Sequence, residues 1–393
     1  MRNLFLKHIG QTSPTPPMVE IESANEIYIT DIDGKEYIDL TSGFSVTNIG
    51  HRHPKVIAAV KGQLDKYLHT TVYGEHIQSP QVQYAQSLFE YLPSTLNSIY
   101  YVNSGSEAIE GAMKLAKRTT GRAAFLSARD AYHGSTQGAM SLKSDEYYTQ
   151  RYRPLLPNMY FEEFNSQSFL DAITDELAGV VIEVVQAEAG VNPADEHWIK
   201  EVRSRCDKYQ VKLIFDEIQT GFGRTGSLFA FQKYEVVPDI LCIAKGMGGG
   251  MPCGAFVSDV SMMNQLSNNP ILGHITTFGG HPVSVVACQA TLDILTSESW
   301  IEEIEQKSNR IVREVRKHSI VTDVKAVGFL INVRVKEGID VRELFQISQR
   351  KGIITDGFLF DSHGYRIAPP LCATDEEVDI IIDKVLGIFD DVV

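Results

Sequence analysis

Six short apolar runs alternate with helix-period stretches through the middle of this chain, and that alternation constrains its fold more than any other feature. The runs are SIYYVN (98–103), AAFLSA (123–128), GVVIEVV (179–185), VKLIFD (211–216), DILCIA (239–244) and GAFVS (254–258), with stretches such as EAIEGAMKLAKR and HWIKEVRSRCDKY between them. Strands apolar along almost their whole length must be covered on both faces, and parallel strands need helical crossovers. Residues 55–285 therefore read as a large α/β domain on a mostly parallel sheet. Residues 1–54 hold a proline cluster (Pro14, Pro16, Pro17) and the alternating segment EIYITDIDGKEYIDL, where Asp33-Gly34 signals a hairpin turn. Residues 286–393 begin with a long helical stretch through Lys317 and continue as VKAVGFLINVRV and IIIDKVLGIF, which predicts a smaller C-terminal α+β domain.

Composition narrows the function classes. With 36 Lys+Arg against 50 Asp+Glu the formal charge is −14, which argues against nucleic acid or an anionic membrane surface as a partner. No run approaches the roughly 18 apolar residues of a membrane span, and the start, MRNLFLKHIGQTSPTPP, is too weakly apolar for a secretory signal. Five scattered cysteines without CxxC spacing suit reduced thiols in a cytoplasm. His51, His53, His133, His274 and His281 lack metal-ligand spacing and read as structural or peripheral, so no metal is expected.

Three motifs carry chemistry. In VNSGSEA (102–108), Ser104 and Glu107 have capping-box spacing, so a helix should begin just after Ser104. Gly105, the Ser106 hydroxyl and the free amides of that first turn form a cup for a phosphate. Asp216 ends an apolar strand, where open α/β sheets bind ligands, and a buried acid there requires a partner. Lys245 ends another such strand one βα unit later. Apolar surroundings and the glycines of AKGMGGG desolvate its amine, lower its pKa and free it as a nucleophile toward carbonyls. Amine, acid and anion cup together are what a phosphorylated pyridine aldehyde requires. Gly221-Phe222-Gly223-Arg224-Thr225-Gly226 spells a dinucleotide fingerprint, but Asp216 precedes the glycines and no helix pattern opens on them.

With GHRHPKVIAAV, NSGSEA, YHGSTQGAM, IEVVQAEAGV, DEIQTGFGRTG, AKGMGGG, TTFGGHP and YRIAPPL in this order, nearly the whole chain resembles the class III pyridoxal-phosphate-dependent aminotransferases. That group includes acetylornithine, ornithine and other ω-amino-acid aminotransferases. The resemblance implies the fold type I of pyridoxal-phosphate-dependent transferases: a large central domain with a mostly parallel sheet and a smaller C-terminal α+β domain. It implies pyridoxal 5'-phosphate as cofactor, Lys245 as the Schiff-base lysine and proton shuttle, and Asp216 beside the ring nitrogen. Gly105 and Ser106 would hold the phosphate, and Tyr132 and Ile218 would cover the two ring faces. Gln219 would reach the phenolic oxygen, and Thr277 would reach the phosphate from the partner subunit of a homodimer with shared sites. Arg366 would grip a substrate carboxylate, and Glu188 would pair with it as a gate.

The expected reaction moves an amino group from an acetylornithine- or ornithine-like donor to a 2-oxo acid such as 2-oxoglutarate. The chain departs from the pattern at Ser135, where many members carry an arginine after Tyr-His-Gly. It also departs at Glu183-Val184, usually Glu-Pro, and at His281-Pro282, usually Asn-Pro. Ser135 keeps open an ω-amino-acid or amine–pyruvate aminotransferase, and an aminomutase on the same site is a further alternative. From other classes, an NAD-dependent dehydrogenase would rest on Gly221–Gly226, and a binding protein would require Lys245 to be dispensable.

Overall fold

The six apolar runs pair into one sheet, joined by a seventh strand, in a computed structural model that describes residues 1–392. The strands are β1 (Ser98–Val102), β2 (Ala124–Ala128), β3 (Met159–Glu162), β4 (Leu177–Glu183), β5 (Lys212–Asp216), β6 (Ile240–Ala244) and β7 (Gly254–Ser258). Their spatial order is β1-β7-β6-β5-β4-β2-β3. Strand β7 runs antiparallel to both neighbours, and all other pairings are parallel. Strands β2, β4, β6 and β7 are buried at every position, as a sheet covered on both faces demands. The sequence pattern missed β3 because MYFE lies at the sheet edge, where half-exposed positions leave no apolar run.

Helix α1 (Gly105–Thr120) begins where the capping residues place it. Ser104 Oγ accepts the amide of Glu107 at 3.2 Å, while Glu107 reaches back to the amide of Asn103 at 2.6 Å, one residue earlier than in a standard capping box. Its inward positions (Ala108, Ile109, Ala112, Leu115, Ala116) repeat every three to four residues and are fully buried. Burying Ile109 or Leu115 contributes roughly 1.5–3 kcal/mol each. Gly111 permits the close approach, since a Cβ there would collide with the Phe256 ring of β7. Helix α2 (Glu196–Tyr209) is capped by Asp195, whose Oδ1 accepts the Trp198 amide at 2.9 Å.

The long helical stretch expected after residue 285 is two helices, α3 (Pro282–Ser297) and α4 (Trp300–Val315). The chain is extended at Glu298 (φ −97°, ψ 152°), flanked by Ser297 and Ser299, whose hydroxyls offer local alternatives to helical bonding. His281 caps α3 by accepting the Val283 amide at 3.3 Å, the task an asparagine would otherwise perform at that position.

The C-terminal region contributes an antiparallel sheet of β8 (Val321–Val327), β9 (Leu330–Val335) and β10 (Gly364–Ile367), with α5 (Asp375–Asp390). The hairpin signalled by Asp33-Gly34 joins Tyr28–Asp31 to Glu36–Asp39, with Gly34 at φ +81°. The small sheet it belongs to takes its fourth strand, Ile353–Ile354, from the C-terminal region. Arg224, from the glycine-rich segment, ties the parts together. It is fully buried and donates to Asn48 Oδ1 and to the Pro369 carbonyl, both at 2.6 Å.

Candidate active site

Parallel strands bring their carboxyl ends to one edge, and the residues that follow β1, β2, β4, β5 and β6 converge there on a cavity of about 430 Å³. On one side lies the first turn of α1, where Gly105 and Ser106 present amides without intrahelical acceptors. The cup is shaped by absent side chains. A Cβ on Gly105 would come within 2.8 Å of Ile218 Cγ2, and one on Gly134 (φ +135°) would strike Ser106 Oγ. Tyr132 and Ile218 also line the cavity.

Lys245 follows β6 at φ +49°, a left-handed conformation that costs a non-glycine residue about 1–3 kcal/mol and is held by the surrounding structure. Its Nζ donates to Gln219 Oε1 at 2.9 Å. Burial lowers the Lys245 pKa below the ordinary lysine value, against the opposing charges of Glu188 and Asp216.

Asp216 ends β5, beside β6, and its buried carboxylate has two partners: Ile218 N donates to Oδ1 at 3.0 Å, and His133 Nδ1 lies 2.7 Å from Oδ2. Burial alone would depress the His133 pKa, but the hydrogen bond and charge of Asp216 outweigh it and raise the net value. His133, read from sequence as structural or peripheral, is therefore the ion-pair partner that orients Asp216. The need for a partner was visible in the sequence, and its identity was not.

Glu183, the last residue of β4, faces Asp216 across the strand pair and lines the same cavity. It accepts the amides of Tyr132 (3.1 Å) and Ala187 (3.3 Å), and burial pushes its pKa up to about 7. A carboxyl whose folded pKa exceeds its unfolded value loses stability as pH rises through the folded pKa. A Glu183→Gln variant is therefore expected to gain melting temperature relative to wild type as pH rises from 5 to 8. The gain should vanish below about pH 4, under the ordinary glutamate value of 4.5, where both states of the wild type are protonated. Thermal unfolding at a series of pH values reads this directly.

Arg366, on β10, is 1% exposed and bound to two acids. Its Nη2 donates to both Glu188 oxygens at 3.0 and 3.1 Å, and its Nε to Asp356 Oδ1 at 2.8 Å, while Nη1 has no partner. Burial raises the Glu188 pKa, but the charges of Arg366 and Lys245 and the hydrogen bonds to its carboxylate together outweigh it and lower the net value. Burial dominates for Asp356, which is pushed up to about 6. Gln219 Nε2 lies 3.5 Å from Glu188 Oε1, so a polar chain runs Lys245–Gln219–Glu188–Arg366–Asp356.

Of the residues singled out by sequence, Gly105, Ser106, Tyr132, Asp216, Ile218, Gln219 and Lys245 share this cavity, and Glu188 and Arg366 join it through Gln219. Thr277 does not line it and lies exposed, among the exposed apolar side chains of Ile271, Leu272, Ile275 and Phe278. Gly221–Gly226 follow β5 as successive turns with no helix opening on them, unlike a dinucleotide site. A larger open groove of about 620 Å³, lined by Arg129, Glu163, Asn192 and Lys325, has no buried titratable pair. Among the described residues no group of three or more His, Cys, Asp or Glu could hold a metal, and no helix is long and apolar enough to cross a membrane.

The chain belongs to the class III aminotransferases, whose family model matches residues 9–389. It is 35% identical over 384 residues to the acetylornithine aminotransferase of Archaeoglobus fulgidus, an alignment covering 97% of this chain and 98% of that one. The fold superposes on an ornithine aminotransferase from Toxoplasma gondii (TM-score 0.92, 26% identity, 100% and 94% of the two chains). It also superposes on the adenosylmethionine-8-amino-7-oxononanoate aminotransferase of Methanocaldococcus jannaschii (TM-score 0.91, 27% identity, 99% and 98%). This is an aminotransferase, and pyridoxal 5'-phosphate is its cofactor. The cavity suits that group: a helix N-terminus with glycine clearance for a phosphate, a desolvated amine, and an acid locked by an imidazole. When bound, the cofactor supplies an aldehyde for amino groups and an electron-withdrawing ring.

Proposed function

We propose that this enzyme moves the terminal amino group of an acetylornithine- or ornithine-like donor to 2-oxoglutarate, with Lys245 as nucleophile and proton carrier and Asp216 as the acid that holds the ring nitrogen protonated. Gly105 and Ser106 bind the phosphate, Tyr132 and Ile218 sandwich the ring, and Gln219 sits between Lys245 and Glu188. The observation that carries this reading is the Glu188–Arg366 pair, 3.0 Å apart and joined to Lys245 through Gln219. A two-substrate enzyme must admit a cationic amine in one half-reaction and a dicarboxylate in the other. With Glu188 in place, the guanidinium is neutralised and an amine is admitted. With Glu188 displaced, its planar fork grips a carboxylate.

The test is a donor panel of N-acetylornithine, ornithine, 4-aminobutyrate, β-amino acids and simple amines, each with 2-oxoglutarate or pyruvate. N-acetylornithine or ornithine with 2-oxoglutarate should give the highest kcat/KM, with parallel double-reciprocal lines. A product formed without a free acceptor would make the enzyme an aminomutase instead. The neutral, exposed Ser135 favours a second reading, an ω-amino-acid or amine–pyruvate aminotransferase, which predicts that pyruvate outperforms 2-oxoglutarate.

The chain acts as a homodimer in this proposal, with Thr277 completing the partner's phosphate cup. The exposed apolar side chains that flank Thr277 in the chain (Ile271, Leu272, Ile275 and Phe278) support it, because exposed apolar surface of this kind marks interfaces. Thr277→Ala should weaken cofactor binding about tenfold, the loss of one hydrogen bond to a charged group. Equilibrium dialysis checks that figure, and sedimentation should show a dimer in both forms. Five free cysteines suit a cytoplasmic setting.

A further inference from the structure

Lys143, a cation packed against the cavity-lining ring of Tyr132, has no anion of its own. Lys143 is 7% exposed, and its Nζ lies 4.6 Å from the ring centroid of Tyr132 and 4.8 Å from that of Tyr148. Among the described residues it makes no ion pair. The two acids that act on it from a distance are committed elsewhere: Asp145 Oδ1 accepts the Tyr147 amide at 2.7 Å, and Glu188 holds Arg366 with both oxygens. Two ring faces offset only part of the cost of desolvating an ammonium.

Its location gives the vacancy a use. Tyr132 lines the cofactor cavity, and its hydroxyl is 3.2 Å from Ser135 Oγ, so that end of the ring meets a neutral group. Tyr148 donates its hydroxyl to the Leu359 carbonyl at 3.2 Å, and Leu359 N donates to Glu188 Oε2 at 3.3 Å. Lys143 is thus bracketed by a ring of the cavity wall and a ring tied to the gate. Arg366, the cation of the gate itself, is already bound by Glu188 and Asp356.

We propose that Lys143 is a specificity-determining residue that receives the carboxylate remote from the reacting amine, so that the enzyme takes ω-amino acids in preference to simple amines. The proposal rests on the amino-transfer reading above and adds the residue that selects the donor. A carboxylate entering between the two rings meets a partly desolvated ammonium, where a charge-assisted hydrogen bond is strengthened.

Two measurements on the cofactor-loaded enzyme test it, using wild type, Lys143→Met and Lys143→Arg. In the first, kcat/KM is compared for 5-aminopentanoate and pentylamine. Lys143→Met should lose about 30- to 100-fold on the acid, in KM, and leave pentylamine unchanged, while Lys143→Arg recovers most of the loss. An equal loss on both donors, or none on either, overturns the proposal. In the second, glutarate binding is measured by calorimetry and should be at least about tenfold weaker in Lys143→Met. Glutarate carries no amine, so this arm is independent of turnover. Amino transfer with equal glutarate affinity in both proteins removes Lys143 alone. Lys143-dependent glutarate binding without any amino transfer removes the reaction and keeps the carboxylate site.

Discussion

Lys245→Ala is expected to reduce amino transfer by at least about 10⁴-fold while leaving the fold intact, because in the proposed reaction one amine serves as both nucleophile and proton carrier. Its position makes both tasks feasible. Burial favours the neutral amine, and Gln219 Oε1 fixes Nζ at 2.9 Å on the cavity side of β6. From there Nζ can accept the proton lost from the donor carbon and return it. Stability should change little, since the substitution removes one hydrogen bond together with the cost of burying an ammonium. Circular dichroism and thermal unfolding should overlay those of the wild type. Borohydride treatment followed by peptide mapping should place the cofactor's mass on Lys245 in wild type and nowhere in the variant. Activity above a few per cent of wild type, or a tag on another lysine, would remove Lys245 from the centre of the chemistry.

The sequence made some features visible because they are local. The apolar runs located six of the seven central strands, and cap spacing located the start of α1. Lys245 and Asp216 stood out because they terminate such runs. What stayed hidden depends on contacts between distant residues or on half-exposed positions. Strand β3 has no apolar continuity, and Ile353–Ile354 joins a sheet whose other strands lie more than 300 residues earlier. A buried acid announces that it needs a partner, yet nothing local says that His133, 83 residues away, supplies it. Glu183 was noted only for the residue after it, although its buried carboxyl accepts the Tyr132 amide. Asp356 sits in a loop without a motif and reveals itself only through the bond to Arg366. The pairing of Glu188 with Arg366, 178 residues apart, came from the family resemblance and not from any pattern in the chain.

Asp216→Asn is the second substitution with a large expected effect, and it acts on activity and stability through one contact. In the proposed reaction the carboxylate would hold a proton at the ring nitrogen of the bound cofactor. An amide cannot, so kcat should fall about 10³-fold or more, by analogy with other electrostatic groups at reacting centres. The same change leaves His133 buried against a neutral group. Breaking a buried ion pair from one side costs about 3–5 kcal/mol. The sign with pH follows from the histidine. Its folded pKa is raised above the unfolded value, so the stability it contributes is present at low pH and lost as pH rises through the folded pKa. The melting-temperature gap between wild type and Asp216→Asn should therefore be widest near pH 6 and narrow toward alkaline pH. His133→Gln separates charge from geometry, since its amide can still donate to Asp216 without a positive charge. It should retain most of the kcat lost in Asp216→Asn while its own stability penalty follows the same pH trend. If the gap for Asp216→Asn were flat with pH, the imidazolium–carboxylate pair would not be what holds Asp216. The buried acid would then have to owe its position to the Ile218 amide alone.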